Sequence, residues 1–422
     1  MHHVLGAGAS EEGLSSIGLA AHEVLGLGIM DSIPSVWRDL DDASGETAAE
    51  LLALLEPIKQ KVLDNYRKWY RNRDLQLPND FEANLNHVLH DLMVSFLSKI
   101  MVAHPPPRRV LTELAITNVR KQHEGRLDVL LEYGDGRYLI IDWKTSPEPA
   151  HSYGYNHMQV LSNALLANYR YHQREEDFSG CKAAVVHCDG VFWPRIPPTP
   201  ATIRKVQDAR AYILECLTGR GPPAEAPYWA QCVACPDQRN CEFYKRYTML
   251  DREGALPRSY SDIRRLLFRR RTVVLEERAN IHVDKFVVDY AVSQSGEQGL
   301  SALEDVGIVE RGYSLKNVQD EFLILQRHRH IGVFEKRNPV RLIGIEPNVP
   351  LFACINARGN IHEVKDSSMT VRVSSTIAAE RAFRQLQDLP ILVTRDNVDL
   401  TARELEPLHF FDVFAAEKLV PW

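Results

Sequence analysis

The sequence predicts an α/β fold: a mixed sheet flanked by helices, with an N-terminal helical region and a β-rich C-terminal domain. Three observations predict it. Apolar residues recur at three- and four-residue steps through residues 47–102. Strand-like apolar runs then alternate with helical patterns over residues 110–218. From about residue 305, short β-type segments follow one another with turns between them.

The chain has 422 residues, and at roughly 100–200 residues per domain this implies two or three domains. The expected divisions are an N-terminal helical region (1–78), an α/β domain (79–250), a basic helical linker (251–289) and a β-rich domain (290–422). A composition of 45% hydrophobic and 25% charged residues is that of an ordinary globular protein. There is no run of 18 apolar residues and no basic segment ahead of an apolar one at the start. Neither a membrane span nor a signal peptide is expected, and the cytoplasm is the expected compartment. The net charge of −6 excludes a general basic coat for nucleic acid, so any such contact must be local.

Residues 1–30 are rich in small side chains and read as loosely ordered. Leu51, Leu52, Leu55, Ile58, Val62 and Tyr66 mark a helix over 47–75. A second helix is expected from Phe81 to Val102, capped by Asn79-Asp80 and ended by His104-Pro-Pro-Pro107. Strands are expected at 110–119, 126–133 and 138–144, with Gly134-Asp-Gly136 as the hairpin turn between the last two. A helix over 154–173, a buried strand at 183–187 and a helix over 201–218 complete the domain. Gly219–Pro227 breaks it. Further on, strands are expected at 307–309, 322–326, 331–334, 341–345, 351–355 and 371–374, as in a barrel or sandwich, with a final helix at 377–387.

The chemistry concentrates in Glu113–Gln159. If Gly134-Asp-Gly136 is the turn, antiparallel pairing sets Asp128 opposite Asp142. Period-two alternation puts Lys144 on the same sheet face as Asp142. Two carboxylates so placed suit a hard divalent cation such as Mg or Mn, and a nearby lysine can orient water or offset developing charge. A charge at the end of the buried run Tyr138–Ile141 is costly unless it is used or paired. That weighs against reading these residues as ordinary strand-end charges. Phosphodiester hydrolysis is the reaction this set fits.

Gly125-Arg-Leu-Asp128, Leu139-Ile-Ile-Asp142-Trp-Lys144-Thr145 and His157-Met-Gln159 together resemble the RecB-like branch of the PD-(D/E)XK nuclease superfamily. The resemblance implies a restriction-endonuclease-like fold and a Mg- or Mn-dependent DNA nuclease acting in repair, recombination or defence. It assigns metal binding to Asp128 and Asp142, catalysis to Lys144, and an active-site or DNA contact to Gln159. It also assigns a metal-ligating histidine to His90 in His90-Asp91-Leu92, and an accessory acid to Glu113. The family's tyrosine four residues after the glutamine is replaced by Asn163.

Cys232-x2-Cys235-x5-Cys241 is a tight thiolate group, suited to zinc or an iron–sulfur cluster. The spacing resembles the last three ligands of the [4Fe–4S] cluster in iron–sulfur members of that branch. Here no cysteine precedes Cys181, and Cys216 is the nearest candidate for the fourth ligand, with Cys188 and Cys181 behind it. Arg264, Arg265, Arg269, Arg270 and Arg271 are expected to touch DNA phosphates.

The segment 376–393 weakly resembles the approach to a superfamily 1 helicase motif. No glycine-rich phosphate loop follows, so no ATPase is expected. The alternative to a nuclease is a non-catalytic DNA-binding or scaffold subunit that joins a separate helicase.

Overall fold

The computed structural model describes residues 14–31, 33–38, 45–72, 76–121, 123–145, 153–218, 287–292, 296–328 and 334–396. Residues 16–203 and 286–397 form one compact unit. Residues 1–15, 204–285 and 398–422 are grouped in a second. The expected divisions at residues 79 and 290 therefore fall inside the first unit, which is described below.

Its centre is a five-stranded sheet in the order β1-β2-β3-β4-β5: Arg109–Asn118, His123–Glu132, Tyr138–Lys144, Cys181–His187 and Gly190–Phe192. β3 and β4 are parallel and every other pair is antiparallel. The mixture follows from the connections. Gly134-Asp-Gly136 turns β2 straight back into β3, with Gly136 at φ 80°. β3 reaches β4 only through a crossover helix, as a parallel pair requires.

Among the described residues, four helices precede β1 and a fifth crosses over after β3. They are α1 (Leu14–Asp31), α2 (Ile33–Arg38), α3 (Gly45–Arg71) and α4 (Phe81–Phe96), the last ending in a π-turn at Leu97–Met101; α5 (Tyr153–His172) is the β3–β4 crossover, and α6 (Pro200–Thr218) follows β5. Residues 14–30 thus differ from expectation: Leu14–Asp31 is a helix, with Ala20, Ala21, Val24 and Leu25 fully buried. Its small side chains are those of a helix pressed closely onto a sheet. Asp80 precedes α4, but its side chain makes no capping hydrogen bond.

Each face of the sheet carries its own core. Val129, Leu131, Leu139, Ile141 and Trp143 pack with α1, α3 and α4. Trp143 meets Phe96 at a tilt of 57°, and Phe96 meets Trp37 edge-on. Leu130, Tyr138 and Ile140 face α5, where the Tyr138 hydroxyl donates to Asn168 Oδ1 at 2.7 Å. At about 25 cal/mol per Å² of apolar surface, these two layers are the main stabilising contribution.

The C-terminal part is a closed six-stranded barrel, ordered β10-β7-β6-β11-β8-β9. Its strands are β6 (Val309–Gln319), β7 (Phe322–Arg327), β8 (Pro339–Gly344), β9 (Asn356–Lys365), β10 (Ser368–Arg372) and β11 (Ile391–Arg395). Between β10 and β11 lies α7 (Thr376–Leu386), capped by the Ser375 hydroxyl, which accepts from the Ala378 N–H. The expected strand at 351–355 is instead a 3-10 turn, Leu351–Ala353, entered through Pro350. Of the expected strand at 331–334, residues 331–333 lie outside the described residues. The residues read as an approach to a helicase motif form α7 and the barrel strand β11.

The barrel is bound to the sheet by buried charge. The Arg170 guanidinium of α5 donates to both carboxylate oxygens of Glu346, at 2.7 and 2.9 Å. Arg109 of β1 donates to the same carboxylate at 2.8 Å. Asn356 donates to the Ala115 carbonyl of β1 at 3.0 Å. Among the described residues, no helix is long and apolar enough to cross a membrane.

Candidate active site

Three carboxylates stand in a row across the first three strands. The β1–β2 ladder pairs Thr112 with Val129 and Leu114 with Leu127, leaving Glu113 and Asp128 at the step between. The β2–β3 ladder ends at Val129 and Ile141, one step short of Asp128 and Asp142.

The pleat slips at that step. Glu132, Leu130, Leu127 and Gly125 all address α5, a three-residue stride between Leu130 and Leu127 where strict alternation allows two or four. On β1, Thr112 faces Met30 of α1 while Leu114 joins the α5-side core. Glu113 takes φ 52°, a left-handed value uncommon for a residue with a side chain and costing of order 1–3 kcal/mol. Strain of this kind persists where the surroundings enforce it, and here it accompanies a cluster of acids.

Asp128 Oδ2 accepts the Trp143 backbone N–H at 2.9 Å, which fixes β2 to the end of β3. Burial and the Glu113 charge push the Asp128 carboxyl up from the usual range. Asp142 is 0% exposed. Its Oδ2 lies 2.7 Å from Lys144 Nζ, while Oδ1 has no hydrogen-bond partner. Burial, then the Asp128 charge, lifts the Asp142 carboxyl to about 6. Lys144 Nζ also donates to Gln159 Oε1 of α5 at 3.1 Å, so the ammonium is held at two points.

The fourth member is His22 of α1, which the sequence reading did not select. Its Nδ1 lies 3.7 Å from Asp128 Oδ2. Donor atoms of His22, Glu113 and Asp128 lie within 4.8 Å of one another. Burial lowers the His22 pKa, which favours the neutral imidazole that a metal requires. A signal for it exists in Gly18-x3-His22-x3-Gly26, a four-residue spacing that puts all three on one helix face. A Cβ at residue 18 would stand 3.0 Å from Thr145 Oγ1, and one at residue 26 would stand 3.7 Å from Thr112. Glycine lets α1 lie against β1 and the end of β3, and His22 is thereby lowered onto β2.

Glu113, Asp128, Asp142, Lys144 and Gln159 thus converge. His90 does not. It is exposed on the outer face of α4, with Nδ1 3.1 Å from Asp91 Oδ1, and His87 contacts the same carboxylate. The buried stripe of α4 runs through Leu85, Leu89, Leu92 and Met93, and His90 stands one position off it. Glu113 is held by Arg126 Nη1 at 2.8 Å, whereas Arg109 pairs with Glu346 and Glu132. Cys232, Cys235, Cys241 and Arg264, Arg265, Arg269, Arg270 and Arg271 lie outside the described residues, as does the side chain of Cys216 in the helix Pro200–Thr218. Cys181 is buried in the α5-side core, its thiol pushed up to about 12 by burial.

One imidazole and two carboxylates in reach of a common point form a donor set for a divalent cation. The buried Asp142 Oδ1, without a hydrogen-bond partner beside them, fits the same purpose, since such an atom is costly unless a ligand satisfies it. A family model of the PD-(D/E)XK nuclease superfamily matches residues 1–242, over half of the chain. The chain belongs to the PD-(D/E)XK nuclease superfamily. The matched span includes α1 with His22 as well as the whole sheet. Nucleases of this superfamily are phosphodiesterases that typically use divalent metals. No curated protein and no solved structure matches the chain.

Proposed function

We propose that this PD-(D/E)XK protein is a Mg- or Mn-dependent DNA nuclease of the RecB-like branch, cutting ends or single strands. The observation that carries the reading is the row Glu113–Asp128–Asp142 with His22 on one side and Lys144 on the other. A non-catalytic scaffold would have no use for a lysine held between Asp142 and Gln159, nor for a strained Glu113.

His22, Glu113 and Asp128 would hold the ion, with Asp142 beside them. A bound divalent cation supplies charge neutralisation at the phosphoryl oxygens and acidifies a water. Lys144 keeps an ammonium donor at the end of β3, where it can meet a phosphate oxygen or orient the attacking water. Gln159 restrains that lysine from α5. Asp142 lies 2.7 Å from it, and Asp142 and Gln159 are carried by strand and helix rather than by loops.

Cys232, Cys235 and Cys241, with Cys216, belong to the same proposal as a structural zinc or [4Fe–4S] site. Arg264–Arg271 are proposed as phosphate contacts. Work in DNA repair, recombination or defence alongside a separate helicase is the setting the resemblance suggests, and the cytoplasm is proposed from the sequence's lack of a signal-peptide pattern.

The test is cleavage of labelled single- and double-stranded DNA with Mn²⁺, run beside an Asp142→Ala/Lys144→Ala variant. Wild-type cleavage that the variant lacks supports the proposal. No wild-type cleavage, or equal cleavage by both, refutes it.

A further inference from the structure

We propose that Arg381, carried by barrel helix α7, is a phosphate-binding residue of the nuclease centre, so that the barrel completes the substrate site. The inference rests on the nuclease reading and assigns a substrate contact to a part of the chain outside the 1–242 family match.

Helix α7 places Ile377, Arg381 and Gln385 at four-residue steps, and therefore on one face. Both ends of that face are seated on the nuclease body. Ile377 is 1% exposed within the core shared by α1, α3 and α4. Gln385 Nε2 donates to the Thr112 carbonyl at 3.0 Å and contacts Met30 of α1. Glu380 pairs with Lys61 of α3 at 3.0 Å. Arg381, one turn before Gln385, is thus directed at the same body, next to the residue that follows Thr112, which is Glu113.

The charges that act on Arg381 are Glu113, Arg126 and Glu23. Glu113 is already engaged by Arg126 at 2.8 Å. Among the described residues, no carboxylate lies within ion-pair distance of Arg381. A guanidinium drawn partly out of water without a close partner is costly, and a ligand anion relieves that cost. Its planar fork matches two phosphate oxygens. With a divalent cation on Glu113, Arg381 and Arg126 would be the cations flanking the acids on the β1 side. The barrel's docking through Arg170–Glu346 and Gln385–Thr112 then has a functional consequence, because it fixes a substrate ligand.

The experiment uses the full chain as wild type, Arg381→Met and Arg381→Lys. Binding of a labelled single-stranded oligonucleotide is followed by anisotropy in Ca²⁺ over a range of salt. Mn²⁺ affinity is measured by calorimetry without DNA. Arg381→Met is expected to weaken oligonucleotide binding at least tenfold and to reduce the salt slope by about one ion. Its Mn²⁺ affinity should stay within twofold of wild type. Oligonucleotide affinity within twofold of wild type overturns the proposal. So does a parallel loss of Mn²⁺ affinity, which would make Arg381 a support for Glu113 only. Should Arg381→Met fail to fold, Arg381→Lys decides. Weaker binding at an unchanged salt slope supports the fork contact, and unchanged affinity overturns it. Binding is read without cleavage, so a chain that binds but does not cut refutes the nuclease reading while leaving Arg381 tested. Absence of binding by wild type overturns both.

Discussion

Asp142→Asn should stabilise the metal-free protein while abolishing its activity. Asp142 is fully buried, its two oxygens lack hydrogen-bond partners, and Oδ2 has the Lys144 ammonium 2.7 Å away as an ion pair. Its carboxyl is lifted from the 3.8 of a solvated aspartate to about 6, chiefly by burial. A carboxyl whose pKa is raised by folding contributes stability below about pH 4, and that stability is lost as pH rises through about 6. At about 1.4 kcal/mol per pH unit, holding the group ionised in the fold costs about 3 kcal/mol at pH 8. At pH 5 the folded carboxyl is protonated while the unfolded one is ionised, and the cost falls to about 1.5 kcal/mol. The amide keeps the shape and removes the charge. Urea unfolding of the metal-free proteins should therefore show Asp142→Asn gaining up to about 3 kcal/mol at pH 8 and about half that at pH 5. A variant less stable than wild type at pH 8, or a gain equal at the two pH values, would mean that the buried Asp142 charge does not destabilise the fold.

Three further outcomes are expected. Lys144→Met should lower kcat for DNA cleavage by about 10²-fold, the usual cost of one transition-state donor, and leave Mn²⁺ affinity within a factor of two by calorimetry. Gly18→Val should force α1 away from Thr145 Oγ1, which already lies 3.0 Å from the place of a Cβ, and carry His22 off Asp128. Mn²⁺ affinity should then fall at least tenfold, with far-ultraviolet dichroism unchanged. Arg170→Met should leave the Glu346 charge buried with Arg109 as its remaining close cation, at a cost of about 3–5 kcal/mol in urea unfolding.

The central sheet was legible because its strands carry the signals that burial imposes. Tyr138–Trp143 is an unbroken buried run, and Gly134-Asp-Gly136 turns the hairpin that aligns Asp128 with Asp142. His22 was marked only by the glycines four residues to either side of it. A helix that must touch a sheet closely is built from glycine and alanine, and that composition reads as loose chain. His90 carried the expected local pattern, yet only tertiary packing decides which helix face meets the sheet, and that face holds Leu89 and Leu92. In the barrel, β6 and β9 are long strands with half-exposed or exposed positions along much of their length, so their apolar alternation is weak. The slip of the pleat at Glu113 and Asp128 is a backbone event with no side-chain signature. The placement of Arg381 depends on the barrel's docking, which no local pattern encodes.

His22, Glu113 and Asp128 are expected to share one divalent cation. Anomalous diffraction from crystals of the full chain soaked in Mn²⁺ would locate it. One peak at about 2.0–2.3 Å from His22, Glu113 and Asp128 is the predicted result. A peak at His90 and Asp91, or none beside Asp128 at saturating Mn²⁺, would contradict it.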